Sequence, residues 1–466
     1  MSNTLKDAQK VVVAEIVRTG EQLILPEGMT LPQAIKLLQA RAIYEDQATV
    51  IRRTYPVFPW DGAHALMRVL ERKYGWAQSI PTPGFFGDSP PQMMTIPSGW
   101  KKTTQVAWGD MALPGIHGYI RTHVNKNNDR MAFELIAEVQ RKYEPQIKEI
   151  YDLVKKELEE ASLYRGKAIT MRFKDEEGDA LPMPELAFVD ITGIDRNTAV
   201  YNEDIYRAID ISLWTPIERS DDCLRNGISL KRGILLGGTY GTGKTLTMTV
   251  AAALADKHGL TYVHVQRADE LAEAIMFARQ YQSPAAIVAC EDVDRTTDGE
   301  RDVEMDDLLN TIDGIDSKNA NIMVVLTTNR IESINAAMLR PGRLDAIIEI
   351  QPPEASTVER LIRQYLGNAL PDNEDISEAG QALAGQIPAV IYEVCKRAKL
   401  AQLTLQAPGT PVRNLNGRAV IDAAGTMSVQ LETLARAIAK PAAPPTLDVA
   451  MVQLMKQALD GSHLDA

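Results

Sequence analysis

Residues 238–245 read Gly-Thr-Tyr-Gly-Thr-Gly-Lys-Thr, which is a complete G-x-x-x-x-G-K-T motif. The apolar run 233–236 precedes the motif and predicts a buried strand, and the run 246–254 follows it and predicts a helix. A strand, a glycine-rich loop and a helix are the context in which this motif binds phosphate. The stretch therefore predicts an α/β fold built around a nucleotide phosphate site.

The residue types in this loop suit the phosphates of ATP. Glycine has no Cβ, so the backbone N–H groups can turn inward and approach phosphate oxygens. The N-terminus of the following helix adds partial positive charge beneath them. Lys244 is expected to reach the β- and γ-phosphates, and the Thr245 hydroxyl is expected to bind Mg²⁺. The predicted ATP contacts here are Gly238, Thr239, Tyr240, Gly241, Thr242, Gly243, Lys244, Thr245 and Leu246.

The composition is typical of a soluble protein with several domains. A chain of 466 residues is too long for one ordinary core, which predicts two or three domains. A net charge of −12 disfavours a general binder of nucleic acid or anionic membranes. No apolar stretch is long enough to cross a bilayer, and residues 1–7 show no signal-peptide pattern. Three widely spaced cysteines predict reduced core thiols in a cytoplasmic protein, without a disulfide framework or zinc site.

The first part of the chain has a texture of its own. Residues 31–48 carry apolar residues at helical intervals. Between about 55 and 118, four of the five tryptophans and many prolines and glycines predict an irregular, loop-rich module. Residues 131–161 predict one or two long charged helices, and residues 167–173 predict a strand. Residues 182–185 form the predicted linker to the next domain.

An alternation of strands and helices begins at about residue 187. The predicted strands cover residues 233–237, 261–265, 285–290, 321–327 and 346–350. Such alternation predicts a parallel sheet flanked by helices. Residues 355–405 predict helices only, and a last helix is predicted over 417–438. The prolines of 441–445 then precede a short amphipathic tail, which either caps its own domain or docks on a neighbour.

Two carboxylates, Glu291 and Asp292, come directly after the predicted strand 285–290. The carboxyl end of a central parallel strand lies beside the phosphate loop, so one carboxylate can hold Mg²⁺ and the next can orient or deprotonate the attacking water. The alternative is an acidic surface turn, just as a chance glycine turn is the alternative for the loop. The presence of both motifs at a sensible spacing favours an ATPase site.

Three further polar residues follow the next predicted strand. Asn329 could form a hydrogen bond with the γ-phosphate or with the attacking water. Arg340 and Arg343 flank a Pro-Gly turn. A guanidinium group stays charged and binds phosphate bidentately, and a neighbouring subunit can use it to stabilise the transferring phosphoryl group. The alternative is a pair of surface arginines in salt bridges.

Together these residues resemble the AAA family of the AAA+ ATPases over roughly residues 187–435. Residues 188–194 are similar to the family's entry segment, which packs beside adenine, and residues 387–400 fall where the family's lid helix begins. The predicted adenine contacts in the entry segment are Asp190, Ile191 and Gly193.

The resemblance also implies roles and an assembly. By this resemblance Asn329 is sensor 1, and Arg340 and Arg343 are arginine fingers. The family implies a homo-oligomeric ring, commonly a hexamer, that uses ATP to remodel or move a macromolecule.

Two features depart from the family pattern. The usual Asp-Glu order is reversed, so Glu291 takes the Mg²⁺ role and Asp292, which is one methylene shorter, takes the water-activating role. This order is similar to that of the mitochondrial AAA translocase that moves folded Rieske protein, whose membrane helix has no counterpart here. Residues 267–284 also lack the aromatic-apolar-glycine tripeptide of a pore loop, and Phe277 and Tyr281 are interpreted there as packing residues.

The predicted fold class is α/β: a parallel-sheet P-loop AAA+ ATPase with a helical lid, preceded by a separate mixed α+β N-terminal region. The predicted domains are a substrate- or partner-recognition region at 1–182, the large ATPase domain at 187–352, the helical lid at 353–440, and a proline-rich break with a tail at 441–466.

The leading hypothesis for function is a ring that remodels, disassembles or moves a protein substrate bound by the N-terminal region. A nucleic-acid motor or loader in the replication of a phage or mobile element is one alternative, which the acidic balance disfavours. A nucleotide-gated scaffold is the other, in which assembly rather than turnover is the output.

Overall fold

A computed structural model describes residues 17–19, 22–25, 28–75, 92–127, 130–293, 321–331 and 344–426. The chain divides into two compact units. The first comprises Met1–Ala199, Arg207–Gly238 and Lys244–Glu349, and the second comprises Val200–Tyr206, Thr239–Gly243 and Ile350–Ala466.

The N-terminal part of the first unit is a mixed α+β region with its own antiparallel sheet. Its elements are β1 (Val17–Thr19), β2 (Gln22–Ile24), α1 (Leu31–Asp46), β3 (Ala48–Tyr55), α2 (Pro59–Tyr74), β4 (Gln92–Gly99), β5 (Lys102–Trp108), β6 (Asp110–Ala112), β7 (Gly118–Asn127), β8 (Arg130–Gln140) and α3 (Glu144–Glu160). The main sheet has the order β3-β8-β7-β6, while β1 pairs with β2 and β4 pairs with β5. Helices α2 and α3 pack on each other and on this sheet.

The helix predicted over 31–48 is confirmed by α1, but two other predictions for this region are wrong. The supposedly irregular module contains the helix α2 and the β4–β5 hairpin. The first half of the predicted helical stretch 131–161 is the strand β8. Buried apolar residues recur there at every second position, which is the strand period, while intervening glutamates suggested a helix. The buried apolar set is Phe133, Leu135, Ala137 and Val139.

The following elements build the larger sheet of the first unit and the helices that lie between its strands in sequence, although residues 203–206 of one of these helices belong to the second unit. They are β9 (Ala168–Lys174), β10 (Ala180–Phe188), α4 (Glu203–Ile209), α5 (Thr215–Glu218), α6 (Ser220–Arg225), β11 (Arg232–Gly237), α7 (Lys244–Lys257), β12 (Thr261–Val265), α8 (Leu271–Gln280), β13 (Ala286–Cys290), β14 (Ile322–Thr328) and β15 (Ala346–Glu349). The seven strands have the order β10-β9-β12-β13-β14-β11-β15. All neighbouring pairs are parallel except β9 and β10. The predicted parallel α/β sheet is therefore confirmed.

The strand register sets the position of the polar strand ends. Every residue of β13 and β14 is buried, as expected for central strands covered on both faces. Cys290 pairs with Leu326, and Gly237 pairs with Thr328. The carboxyl ends of β11, β13 and β14 therefore meet at one edge of the sheet, where the motif residues follow.

The sheet also includes strands that lie before its predicted start. Residues 182–185 are part of β10, so the linker prediction is wrong. Proline cannot donate a ladder hydrogen bond and is tolerated in strands mainly at edges and bulges. Pro182 and Pro184 lie where the β9–β10 register shifts, between Ala180 and Glu185. Two prolines in four residues suggested a linker, because the sequence does not show the register shift that accommodates them in the strand.

Aromatic side chains connect the N-terminal region with helix α8, which packs on the seven-stranded sheet. The Phe58 ring lies 5.7 Å from that of Phe277 and 6.0 Å from that of Tyr164. The backbone N–H of Phe58 donates to the Tyr281 hydroxyl at 2.7 Å. Phe277 and Tyr281 are buried, which confirms their predicted packing role.

Replacing Phe58 with alanine is expected to destabilise the first unit by about 3–5 kcal/mol, because a fully buried ring is lost from a junction that cannot collapse. The melting temperature of the full chain measures this effect. Trp100→Ala is the matched control, since Trp100 is 42% exposed and an exposed substitution is expected to cost about 0.5 kcal/mol or less. Equal losses for the two variants would contradict a core role for Phe58.

The second unit is helical, which confirms the prediction for residues 355–405. It contains α9 (Ala355–Leu366), α10 (Ser377–Ala382), α11 (Pro388–Thr404) and a further helix, α12, over residues 417–426. Helix α9 packs on both α10 and α11. The shared core includes Val358, Leu361, Ile362, Ile391 and Val394. The remainder of the predicted last helix, and the tail, lie outside the described residues.

Two predictions from composition can be compared with these elements. The three cysteines, Cys223, Cys290 and Cys395, are buried and free of disulfide bonds, as predicted. Among the helices that the structure describes, none combines the length and apolar character needed to span a membrane.

Candidate functional site

A chain of hydrogen bonds joins three of the predicted site residues in the first unit. The Lys244 ammonium donates to the backbone oxygen of Gly238 and to Asn329 Oδ1, both at 2.7 Å. Asn329 Nδ2 in turn donates to Asp292 Oδ1 at 2.8 Å. This pattern fixes the amide orientation of Asn329, because only its oxygen can accept from an ammonium and only its nitrogen can donate to a carboxylate.

The sheet places these residues together although they are far apart in sequence. Lys244 is the first residue of α7, Asp292 follows β13 and Asn329 follows β14. The backbone N–H of Asp292 donates to Thr327 Oγ1 at 2.8 Å. Asp292 has a φ of +44°, a conformation that costs a non-glycine residue energy and occurs preferentially at functional sites. The strained backbone thus turns the Asp292 carboxylate toward Asn329.

Glu291 follows a buried thiol, that of Cys290, and its carboxylate is near the half-buried imidazole of His264. Its carboxylate oxygen Oε1 is 3.8 Å from His264 Nε2. His264 Nδ1 lies 3.5 Å from the Thr170 hydroxyl oxygen, and burial lowers the pKa of the ring. Burial, reinforced by nearby carboxylates, raises the pKa of the Cys290 thiol to about 12. Cys290 is therefore an inert core thiol at neutral pH.

Residues of the second unit hold the glycine-rich loop in shape. Gly241 and Gly243 have φ of +78° and +105°, which favour glycine. A Cβ on Gly241 would lie only 2.9 Å from the Ile387 side chain. The Tyr201 hydroxyl donates to the backbone oxygen of Gly243 at 2.8 Å. Ile387 immediately precedes α11, the helix found at the predicted lid position 387–400.

The predicted adenine segment forms a turn of its own after β10. Thr192 N–H donates to the Asp190 carboxylate at 3.1 Å, and this hydrogen bond lowers the pKa of Asp190. Ile194 N–H donates to the backbone oxygen of Ile191, and Gly193 has a φ of +69°. The turn exposes Asp190, and its predicted contact with adenine stays a prediction.

Two predicted residues cannot be placed. Arg340 and Arg343 lie outside the described residues, as does the whole segment from 294 to 320. Their role as arginine fingers therefore stays a prediction from the sequence.

The donor atoms of the first unit fit the predicted Mg²⁺. Thr245, in the first turn of α7, is exposed, and the Glu291 side chain is 33% exposed. A hydroxyl and a carboxylate are oxygen ligands of the kind that Mg²⁺ prefers. Over the described ranges no cluster of three or more metal-binding side chains occurs.

Sequence reasoning missed three residues that support this site. Tyr201 holds the loop, Thr327 accepts from the backbone of Asp292, and Thr170 contacts His264. Thr327 could have been noticed as a hydroxyl at the end of a buried apolar strand. Tyr201 and Thr170 carry no local signal, because each contacts the site from a segment more than forty residues away in sequence.

The comparisons with known proteins match the part of the chain that contains Lys244, Asp292 and Asn329. The family described as "ATPase family associated with various cellular activities (AAA)" matches residues 234–352. A 26S proteasome regulatory subunit 4 homolog of Oryza sativa is 31% identical over 244 residues, which are 47% of this chain and 51% of the relative. The proteasome-activating nucleotidase of Archaeoglobus fulgidus is 29% identical over 239 residues, 46% of this chain and 56% of the relative.

A third relative carries its assembly in its name. The AAA ATPase forming ring-shaped complexes of Bifidobacterium dentium is 31% identical over 245 residues, which are 47% of this chain and 44% of the relative. The chain spans about half the length of these curated relatives. The similarity therefore concerns about half of the chain.

Proposed function

We propose that this chain, whose residues 234–352 match the AAA family of ATPases, hydrolyses ATP to remodel, disassemble or move a protein substrate. The observation that carries the catalytic part is the hydrogen-bonded chain from Lys244 through Asn329 to Asp292. It joins a cation that suits phosphate, an amide and a carboxylate at the sheet edge where nucleotides bind in such folds.

The roles of the individual side chains follow from their chemistry. The Lys244 ammonium neutralises charge on the β- and γ-phosphates while its hydrogen bonds keep it at the loop. Thr245 and Glu291 would hold Mg²⁺, which supplies further charge neutralisation when bound. Asp292 accepts a proton from the attacking water, or orients that water. Asn329, which is already hydrogen-bonded to both Lys244 and Asp292, keeps the carboxylate aligned with the phosphate site.

We further propose a homo-oligomeric ring, most simply a hexamer. One support is the relative named for ring-shaped complexes. The other is the pair Arg340 and Arg343 in the sequence, whose guanidinium groups suit the phosphate of a nucleotide bound by a neighbouring subunit. An arginine supplied by a neighbouring subunit completes the site only after assembly.

The experiment that tests this function is the ATPase rate per protomer as a function of protein concentration. We expect a cooperative rise, because each site needs residues from a second protomer. A rate that stays constant while sedimentation shows a monomer would contradict sites shared between subunits. Absence of turnover in assembled rings, with and without candidate substrates, would instead support the nucleotide-gated scaffold.

Arg343→Ala is expected to reduce ATP hydrolysis about a thousandfold, the scale on which arginine fingers act, while ATP affinity changes little. Steady-state turnover and binding of a fluorescent ATP analogue separate the two quantities. Arg225→Ala is the matched control, because Arg225 is an exposed arginine at the end of α6. Wild-type turnover in Arg343→Ala would contradict the finger.

The substrate is proposed to be a protein bound by the N-terminal region, predicted as residues 1–182. Two of the relatives are named for the proteasome, and the net charge of −12 disfavours nucleic acid. Turnover should therefore rise with a denatured protein and stay constant with single- or double-stranded DNA. The opposite pattern would favour the nucleic-acid motor.

A cytoplasmic location also remains a prediction, supported by the three free, buried cysteines.

A further inference from the structure

The imidazole of His264 lies between a hydroxyl of β9 and the carboxylate of Glu291. Nδ1 is 3.5 Å from Thr170 Oγ1, and Nε2 is 3.8 Å from Glu291 Oε1. Nε2 is buried and has no hydrogen-bond partner in the part of the chain that the structure describes. Since an unsatisfied buried polar atom costs free energy, such an atom at a functional site points to a partner that it engages there.

The contact of the Thr170 hydroxyl with Nδ1 is compatible with a neutral ring whose Nε2 faces Glu291 as a donor. When this hydroxyl donates to Nδ1, the proton of a neutral imidazole is on Nε2. The resulting Nε2–H faces the Glu291 carboxylate, which is an acceptor. The separation is about 0.8 Å longer than a usual N–H···O hydrogen bond, and rotation of the Glu291 side chain can close it.

The contact between His264 and Glu291 restricts the first carboxylate of the reversed acidic pair. Glutamate in the first position has one more rotatable bond than the usual aspartate, so its carboxylate samples more positions and loses more entropy when it is fixed. A donor on the neighbouring strand β12 restricts that freedom. Contacts of this kind behind a metal ligand orient the ligand and tune its affinity for the metal.

We propose that His264 is a positioning residue for Glu291: with its tautomer set by Thr170, it donates Nε2–H to the carboxylate and holds it toward Mg²⁺. This inference rests on the proposed role of Glu291. Thr170 belongs to β9, which precedes the matched residues 234–352. The part of the sheet outside the family match therefore contributes to the metal site.

Mg²⁺-dependent binding of a fluorescent ATP analogue by the full chain tests the proposal without relying on turnover. His264→Leu removes the donor and is expected to raise the Mg²⁺ concentration for half-maximal binding about tenfold. Its affinity for the analogue in EDTA should equal that of the wild type, because Glu291 then has no metal to hold. Thr170→Val removes the hydroxyl and should shift the Mg²⁺ dependence in the same direction by a smaller factor.

Rescue and control variants separate positioning from structural damage. His264→Gln keeps an N–H donor of similar reach and should therefore have a Mg²⁺ dependence close to that of the wild type. Thr170→Ser keeps the hydroxyl that Thr170→Val removes, so its Mg²⁺ dependence should also be close to that of the wild type. His258→Leu makes the same chemical change at an exposed histidine after α7 and should leave the Mg²⁺ dependence unchanged.

Two results would overturn the proposal. One is an unchanged Mg²⁺ dependence in His264→Leu. The other is an equal loss of analogue binding with Mg²⁺ and with EDTA, which would show a structural role. A wild-type chain that does not bind the analogue with Mg²⁺ at all would contradict the proposed function itself, and the inference would fail with it.

Discussion

Replacing Lys244 with alanine is expected to weaken ATP binding about a hundredfold, because the variant loses charge-assisted contacts with two phosphates. Lys244 is 6% exposed, and its ammonium is held by Gly238 and Asn329 at 2.7 Å each. These hydrogen bonds fix the charge at the loop. Titration with a fluorescent ATP analogue in the presence of Mg²⁺ measures the affinity.

Lys257→Ala is the matched control for this prediction. Lys257 is the exposed last residue of the same helix, α7, and its removal changes net charge by the same amount. ATP affinity should therefore remain at the wild-type value in this control. An unchanged affinity in Lys244→Ala would mean that the motif does not bind the phosphates.

Asp292→Asn is expected to slow ATP hydrolysis by about a factor of a thousand while ATP affinity is retained. The amide has nearly the same size as the carboxylate but is not a base. The hydrogen bond from Asn329 Nδ2 to Asp292 Oδ1, at 2.8 Å, can still be accepted by the amide oxygen, so the local geometry should persist. Single-turnover hydrolysis by pre-assembled protein measures the chemical step separately from assembly.

Asp221→Asn, an exposed aspartate in α6, controls for the loss of one negative charge. Hydrolysis at the wild-type rate in Asp292→Asn would assign the base role to another group, with Glu291 the first to consider. Assembly that depends on ATP and persists in Asp292→Asn, in a chain whose wild type also turns over negligibly, would favour the scaffold function.

Local sequence patterns predicted most of the ATPase core. The predicted strands 233–237, 261–265, 285–290, 321–327 and 346–350 correspond to β11 to β15, because short segments rich in apolar residues favour buried strands. The same patterns failed for residues 131–140, which belong to β8, and for residues 182–185, which belong to β10. There, charged residues and prolines concealed two strands, although each pairs with the strand that precedes it in sequence.

By itself, the sequence determined which residues are candidates for the site: the glycine-rich loop with Lys244 and Thr245, the acidic pair Glu291 and Asp292, and the amide of Asn329. These residues are recognisable because each lies at a fixed short distance from a strand that its own apolar run predicts. Only the tertiary structure decided how they are connected and supported. The Lys244–Asn329–Asp292 chain depends on the lateral order of β11, β14 and β13, and the contact of Thr170 with His264 depends on β9 pairing with β12. Strand order comes from the burial of whole faces by residues distant in sequence, so no local pattern of residues encodes it.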